Sequence, residues 1–331
     1  MPETLASLAA IAAPLGGVFG AAAFNPATGE RIGLNAEESF PLASVFKVPV
    51  MVAVARAVDA GRLTLDERLV LRETDKSPGG PLIHCRAGLR PTVRDLLFFM
   101  ITLSDNTATD LLWRRIGPGA VNQAMEELGV SGIDCFMPDR EFFLIEAGFG
   151  SDWAGLDATA TVRRWRRLAG GGELGGAYRR LLKEADGLNG DAFIRLYEER
   201  WGKGGRDWER AAIIDPALDN SGTPRDVARL LALIAQDECA SPASCALMRE
   251  TLLRQEWRDR IPAGLPRGLS VGNKTGSVAA TVNDVAIVRD RDGCTVVLAL
   301  LWKGLDRAGE ALAPAAIGAV AGVLWKQLAA G

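Results

Sequence analysis

The sequence predicts an α/β protein of the α+β kind, with an antiparallel sheet flanked by terminal helices and an all-helical lobe beside it. Three observations carry this. Strand-like runs gather at the two ends of the chain, at 17–34 and again at 269–302. Helical patterns fill the stretch between them. Apolar helices open and close the chain, the last from Ala311 to Ala329. Strands at both ends with helices between them imply a lobe assembled from both termini. The organisation read from this is a single domain over 1–331. It has an α/β lobe at 1–40 and 217–331, a helical lobe at 41–149 and an inserted helical subdomain at 150–216.

In chain order, residues 3–14 read as an amphipathic helix. Gly17–Phe24 and Arg31–Leu34 read as strands joined by the turn Asn25-Pro26-Ala27-Thr28-Gly29. Ser44 to Ala60 is a strongly apolar helix closed by Gly61. Residues 75–81 form a loop. Thr92 then caps a helix, with Asp95 placed as in a capping box. That helix ends at Leu103-Ser104-Asp105-Asn106-Thr107, and another runs from Ala108 to Ile116. Pro118 opens the next, which ends at Leu128 before Gly129. Residues 134–149 read as a loop containing Asp139-Arg140-Glu141-Phe142-Phe143-Leu144. The 150–216 stretch reads as three or four short helices punctuated by Gly170-Gly171-Gly172, Gly187 and Gly204-Gly205. Thr223 and Pro224 open a helix as N-cap and first residue, and Ser241-Pro242 opens another. Leu269–Asn273 reads as a strand reaching Lys274-Thr275-Gly276-Ser277. Val282–Arg289 and Cys294–Trp302 form a hairpin.

Bulk properties remove several function classes. A net charge of −3 gives no electrostatic case for binding nucleic acid or an anionic membrane. The basic cluster Arg163-Arg164-Trp165-Arg166-Arg167 reads as a solvated helix face. The single histidine, His84, has no triad-like neighbours and is expected in a loop. One histidine excludes a His-rich metal site. The five cysteines (Cys85, Cys135, Cys239, Cys245 and Cys294) are scattered without C-x-x-C spacing, so no metal or other cofactor is expected. Reduced thiols fit best, although Cys239 and Cys245 are close enough in sequence to bridge in an oxidising compartment. No run reaches the roughly 18 apolar residues of a membrane span. The stretch before Leu15 lacks the features of a signal peptide. The chain as given reads as cytoplasmic, or as periplasmic or secreted if an export signal has been removed.

The chemistry concentrates at Ser44-Val45-Phe46-Lys47. Residues three apart share a helix face, so the Ser44 hydroxyl and the Lys47 amine can enter one small volume. A serine hydroxyl needs a nearby base to become a nucleophile, and a lysine whose pKa is lowered can serve. The bland alternative is an N-cap serine ahead of a surface lysine. The apolar flanks Phe46, Val48, Val50, Met51 and Val52 favour burial of Lys47, and a buried lysine needs a reason. Two further elements come later in the chain, Ser104-Asp105-Asn106 and then Lys274-Thr275-Gly276, each at an element boundary.

This ordered set resembles that of the class A-like serine β-lactamases and their penicillin-recognising relatives. The resemblance covers roughly residues 17–149 and 217–331, and it implies a β-lactamase/transpeptidase-like fold. It implies that Ser44 attacks a carbonyl and carries the acyl group while Lys47 takes or relays its proton. Ser104 would pass a proton to the leaving nitrogen, helped by Lys274, whose charge also draws in a substrate carboxylate. Asn106 would hold the substrate's amide side chain and Lys47. Thr275, Gly276 and Ser277 would line the carboxylate side of the ligand. The backbone N–H groups of Ser44 and Ser277 would form an oxyanion hole, worth about 3 kcal/mol per donor. Asp105 is expected to be structural.

The pattern departs from the family at one place. A class A hydrolase places a glutamate, with an asparagine four residues later, on the loop after the Ser-Asp-Asn element. Glu141 is the best match here, but Ile145 stands where asparagine is expected, and a register through Arg140 would put Phe142 at the glutamate position. The leading expectation is a serine β-lactamase-like hydrolase acting through a Ser44 acyl-enzyme on a β-lactam or a related cyclic or linear amide. The second is a penicillin-binding, D-Ala-D-Ala peptidase-like, esterase or acyltransferase protein with slow deacylation. The third is a non-catalytic binding or sensing module. The expected partner is a small molecule, with no nucleic acid or membrane, and 150–216 could narrow access or recruit a partner.

Overall fold

In a computed structural model, the structure describes residues 2–117, 119–201 and 207–329. Pro118 and the Gly204-Gly205 punctuation lie outside the described residues. The chain runs α1 (Pro2–Ala12), β1 (Val18–Phe24), β2 (Arg31–Leu34), β3 (Phe40–Pro41), α2 (Lys47–Asp59), α3 (Val93–Thr102), α4 (Asn106–Ile116), α5 (Ala120–Glu127) and α6 (Asp139–Glu146). It continues through α7 (Ala158–Gly170), α8 (Leu174–Glu184), α9 (Gly190–Trp201), α10 (Trp208–Leu218), β4 (Ser221–Gly222), α11 (Pro224–Ala235), α12 (Pro242–Leu253) and α13 (Ile261–Gly264). It closes with β5 (Ser270–Val278), β6 (Thr281–Arg289), β7 (Thr295–Lys303) and α14 (Arg307–Leu328). Two compact units result. The first comprises residues 1–64, 118–135 and 220–331; the second comprises 65–117 and 136–219.

The first unit is built on a five-stranded antiparallel sheet of order β2-β1-β7-β6-β5. Both faces are covered, which explains why β7 reads as an unbroken apolar run and not as an alternation. Val296, Leu298, Leu300 and Trp302 enter one core with Leu8 of α1 and with Ile317, Val320, Leu324 and Trp325 of α14. The intervening Val297, Ala299 and Leu301 are fully buried on the other face, which α11 covers. Helix α14 is long and apolar enough to cross a membrane by length and composition, contrary to the expectation that no run reaches that threshold; half of its apolar window is buried, in the sheet's core. The local signals act as their chemistry requires. Thr223 Oγ1 accepts from Asp226 N at 3.1 Å with Pro224 in the first turn, and Ser241 caps α12. Cys239 and Cys245 are free thiols with sulfurs 3.5 Å apart.

The second unit is helical. Thr92 and Asp95 exchange hydrogen bonds of 3.1 and 2.8 Å at the start of α3, the capping box expected from sequence. Among the described residues, 158–201 and 207–218 hold four helices, interrupted at Gly172 and Gly187, both with positive φ. The 134–149 stretch differs from its expected loop, because α6 occupies its centre. Helix α4 begins two residues earlier than expected, so Asn106 lies on it. His84 is exposed at the end of a short 3₁₀ turn.

Leu298 has no solvent exposure at the centre of the sheet's core. Leu298→Ala is expected to lower unfolding stability by about 2–5 kcal/mol. Urea unfolding with an unchanged slope checks this.

Candidate active site

In the first unit, the segment entering Ser44 is held on several sides. β3 pairs with β4, and Leu42 N donates to Asn220 O at 2.8 Å. Asn283 of β6, fully buried, donates from Nδ2 to Pro41 O (2.8 Å) and Leu42 O (3.1 Å), while its Oδ1 accepts from Trp302 N (2.9 Å). Ala43 then takes φ +45°, a left-handed conformation costing a side-chain-bearing residue roughly 1–3 kcal/mol. Ser44 sits on the 3₁₀ turn Ala43–Phe46 that leads into α2. Lys47 has no solvent exposure, and its Nζ donates to Ser44 Oγ at 2.9 Å. The spacing of three residues does bring amine and hydroxyl together.

Strand β5 lies directly against this turn. A Cβ on Gly276 would meet Leu42 O at 2.6 Å and Ser44 N at 3.1 Å, so glycine is what permits the approach. The Lys274-Thr275-Gly276-Ser277 run thereby borders the Ser44 backbone amide. Lys274, fully buried, donates to Thr275 O at 2.8 Å. Ser277 is exposed, and its Oγ accepts from Arg260 Nη2 at 2.6 Å. Arg260 Nη1 also donates to Gly276 O (2.9 Å) and Asn283 O (2.5 Å). Burial lowers the Arg260 pKa, against the pull of Asp284, Asp259 and Glu310. Asp284, opposite Thr275 on β6, is pushed up to about 6 by burial; it accepts from Asn273 Nδ2 and from Ile261 N, each at 3.0 Å. Sequence reasoning missed Arg260, Asn283 and Asp284. No local motif marks them, since their partners are brought in by strand pairing and a distant turn.

The second unit carries Ser104, Asn106 and Glu141. Ser104 has φ +57°. Asp105 is structural: Oδ1 caps α4 by accepting from Ala108 N (2.7 Å), and Oδ2 accepts from Leu82 N (2.8 Å). Asn106 Nδ2 donates to Pro78 O at 2.6 Å. Glu141 is buried on the first turn of α6, paired with Arg114 Nη2 at 3.1 Å. Burial raises its pKa to about 7, against the opposing pull of Arg114. Among the described residues, no group of three or more His, Cys, Asp or Glu is placed to hold a metal ion.

An antiparallel sheet covered by terminal helices, together with a helical unit, matches the β-lactamase/transpeptidase-like fold. The chain belongs to the β-lactamase enzyme family, whose model matches residues 4–328. It is 35% identical to β-lactamase L2 of Stenotrophomonas maltophilia over 41% of this chain and 46% of that one, so the match spans about half of the relative. The crystal structure of a β-lactamase from Sphaerobacter thermophilus superposes with a TM-score of 0.71 at 28% identity, covering 100% of this chain and 98% of that one. The structure of PBP-A shares the fold, with a TM-score of 0.71 at 23% identity over 100% and 97% of the two chains.

A carboxyl whose folded pKa is raised stabilises the fold fully below its unfolded value, and the contribution is lost as pH rises through the folded value. For Glu141 that window runs from its ordinary 4.5 up to about 7. Glu141→Gln is expected to flatten the fall in unfolding midpoint across this window, as measured by thermal melts at a series of pH values.

Proposed function

We propose that this protein is a serine hydrolase of the β-lactamase type that works through an acyl-enzyme on Ser44. The observation that carries the reading is the 2.9 Å contact between the Ser44 hydroxyl and the fully buried Lys47 amine, beside the glycine-permitted approach of β5. In this reading Lys47 accepts or relays the Ser44 proton as Oγ bonds to the carbonyl carbon. The Ser44 N–H, with that of Ser277, stabilises the oxyanion. Ser104 hands a proton to the leaving nitrogen, assisted by Lys274, and Asn106 holds the amide side chain of the substrate. The substrate is a small molecule, a β-lactam or a related amide, with a carboxylate recognised by Lys274, Thr275 and Ser277.

Arg260 joins that recognition set. Its guanidinium is fixed on Gly276 O and Ser277 Oγ, the strand end where the carboxylate would sit. A charged hydrogen bond of this kind is worth about 1.5–3 kcal/mol, or about 10- to 100-fold in binding. Arg260→Ala is expected to lower kcat/KM by that factor for a penicillin and by much less for its methyl ester. Equal losses on acid and ester would remove Arg260 from the carboxylate site.

The reading as a whole is tested by intact-protein mass after mixing with a simple penicillin. A transient adduct on Ser44, with hydrolysed drug accumulating and no adduct in Ser44→Ala, is the expected result. Labelling that persists in Ser44→Ala would overturn the assignment.

A further inference from the structure

One hydrogen-bond set in the first unit fixes the segment that carries Arg260. It is built on two fully buried side chains, Asn273 of β5 and Asp284 of β6. Asp284 stands opposite Thr275, which makes Asn273 its diagonal neighbour on the same face of the sheet. Asp284 Oδ1 accepts from Asn273 Nδ2, and Oδ2 accepts from Ile261 N, each at 3.0 Å. Asn273 Nδ2 also donates to Trp257 O at 3.1 Å. Asn273 Oδ1 accepts from Arg258 Nη1 at 3.3 Å, and the same nitrogen donates to Val271 O at 2.8 Å. The segment 257–261 is thereby tied to the sheet at Trp257, Arg258 and Ile261, on both sides of Arg260.

Hydrogen bonds weaken steeply with angle, so a guanidinium is useful only where its backbone is held. Arg260 spans Gly276 O, Asn283 O and Ser277 Oγ, and Asp284 fixes the very next backbone N–H. The carboxylate also suits its partners in kind. Two N–H donors meet it, and each of its oxygens accepts. A side-chain amide of the same shape would accept from one and turn its own N–H toward the other, leaving a buried donor unpaired. The charged groups that act on Asp284 are Arg260 and Lys274, and Asp259 and Glu310 act on Arg260 in turn. The β7 residue opposite Asp284 is Leu300.

We propose that Asp284 is a positioning residue that, when ionised, sets Arg260 for the substrate carboxylate through Ile261 N and Asn273. The proposal rests on the reading of Arg260 as part of the carboxylate-recognition set. Arg260 meets the ligand, and Asp284 acts only through it. Burial raises the Asp284 carboxyl to about 6, against the pull of Asn273, Arg260, Ile261 N and Lys274. Below that pH the group is neutral, one oxygen carries a proton, and the clamp loosens as it would with an amide. Loss of a buried anion by itself would make the site more positive and favour a carboxylate. Loss of position turns the guanidinium away from it. The two effects have opposite signs, so the direction of the measured change separates them.

The test compares kcat/KM for benzylpenicillin with that for its methyl ester across a pH series in wild type, Asp284→Asn, Arg260→Ala and the double variant. Dividing acid by ester cancels the ionisations that both substrates share. Wild type is expected to lose about 10-fold of its preference for the acid as pH falls through about 6. Asp284→Asn is expected to show the lowered preference at every pH, with KM for the acid carrying the change and kcat nearly unaltered. In the Arg260→Ala background, Asp284→Asn is expected to add nothing, because two residues acting as one unit are not additive. A wild-type ratio that is flat or rises toward low pH overturns the proposal, and it does so without any variant should Asp284→Asn not fold. Equal losses on acid and ester in Asp284→Asn overturn it too, while Arg260→Ala still separates the two substrates. Equal losses in Arg260→Ala overturn the underlying reading as well.

Discussion

Keeping an amine without water beside a hydroxyl is the constraint on which the first unit's candidate residues depend. An ammonium taken out of water costs several kcal/mol unless the protein supplies hydrogen bonds in its place. Lys47 can therefore stay fully buried only if its partners are held still. The Ser44 hydroxyl accepts one hydrogen bond from it, and the Phe46 ring stands 5.6 Å from Nζ. The rest of α2 serves the same end. Apolar residues run around it from Val48 to Ala57, nearly all buried, with α5 and α12 packed against it. A helix that is apolar all round is fixed by its neighbours and not by an amphipathic stripe. Its first residue, Lys47, inherits that rigidity.

The segment that leads into Ser44 is fixed by groups of matching valence. Asn283 must donate twice and accept once, and only a side-chain amide can do so with one residue. An aspartate there would offer acceptors alone and leave two buried carbonyls facing it. The same asparagine is tied to β7 through Trp302 N, so the geometry of the sheet is transmitted to Pro41 and Leu42. Ala43 can then be held at a positive φ, because its neighbours on both sides are pinned. Ser104, the other serine singled out by the motifs, carries the same kind of outlier at φ +57°. Strain at both positions, each beside an ordered hydrogen-bond set, fits residues whose placement matters more than their local comfort.

Much of this was legible in the sequence where the determining interaction is local. The caps at Thr92, Thr223 and Ser241 each depend on residues three positions apart, and each forms as read. The Ser44–Lys47 contact depends only on helix period. Strands β6 and β7 announce themselves by apolar, β-branched content. What was not legible is set by distant partners. Arg260 gains its meaning from Ser277 and Gly276 across a turn. Helix α6 is hidden from a local reading, since Pro138 at its N-cap makes no side-chain cap; the cap is Asp110, on a different helix. No window along 134–149 could reveal that.

The same non-local cap bears on how a catalytic carboxylate can be found at all. Matching a glutamate by spacing assumes that the loop keeps its length and that its residues keep their facing. Here the intervening segment is helical, and one residue of offset turns a side chain by about 100°. Glu141 satisfies the spacing, and the structure places it beside Arg114, where its carboxylate pairs with a half-buried guanidinium on α4. Burial presses the Arg114 pKa down, but Asp110, Glu141, Asp75 and Asp139 raise it, so these acids together act as its counter-charges. Removing Glu141 from that set would leave a half-buried cation short of one partner, a structural loss that favours its retention whatever the reaction. An acidic residue kept for charge balance and one kept for chemistry look alike in a sequence.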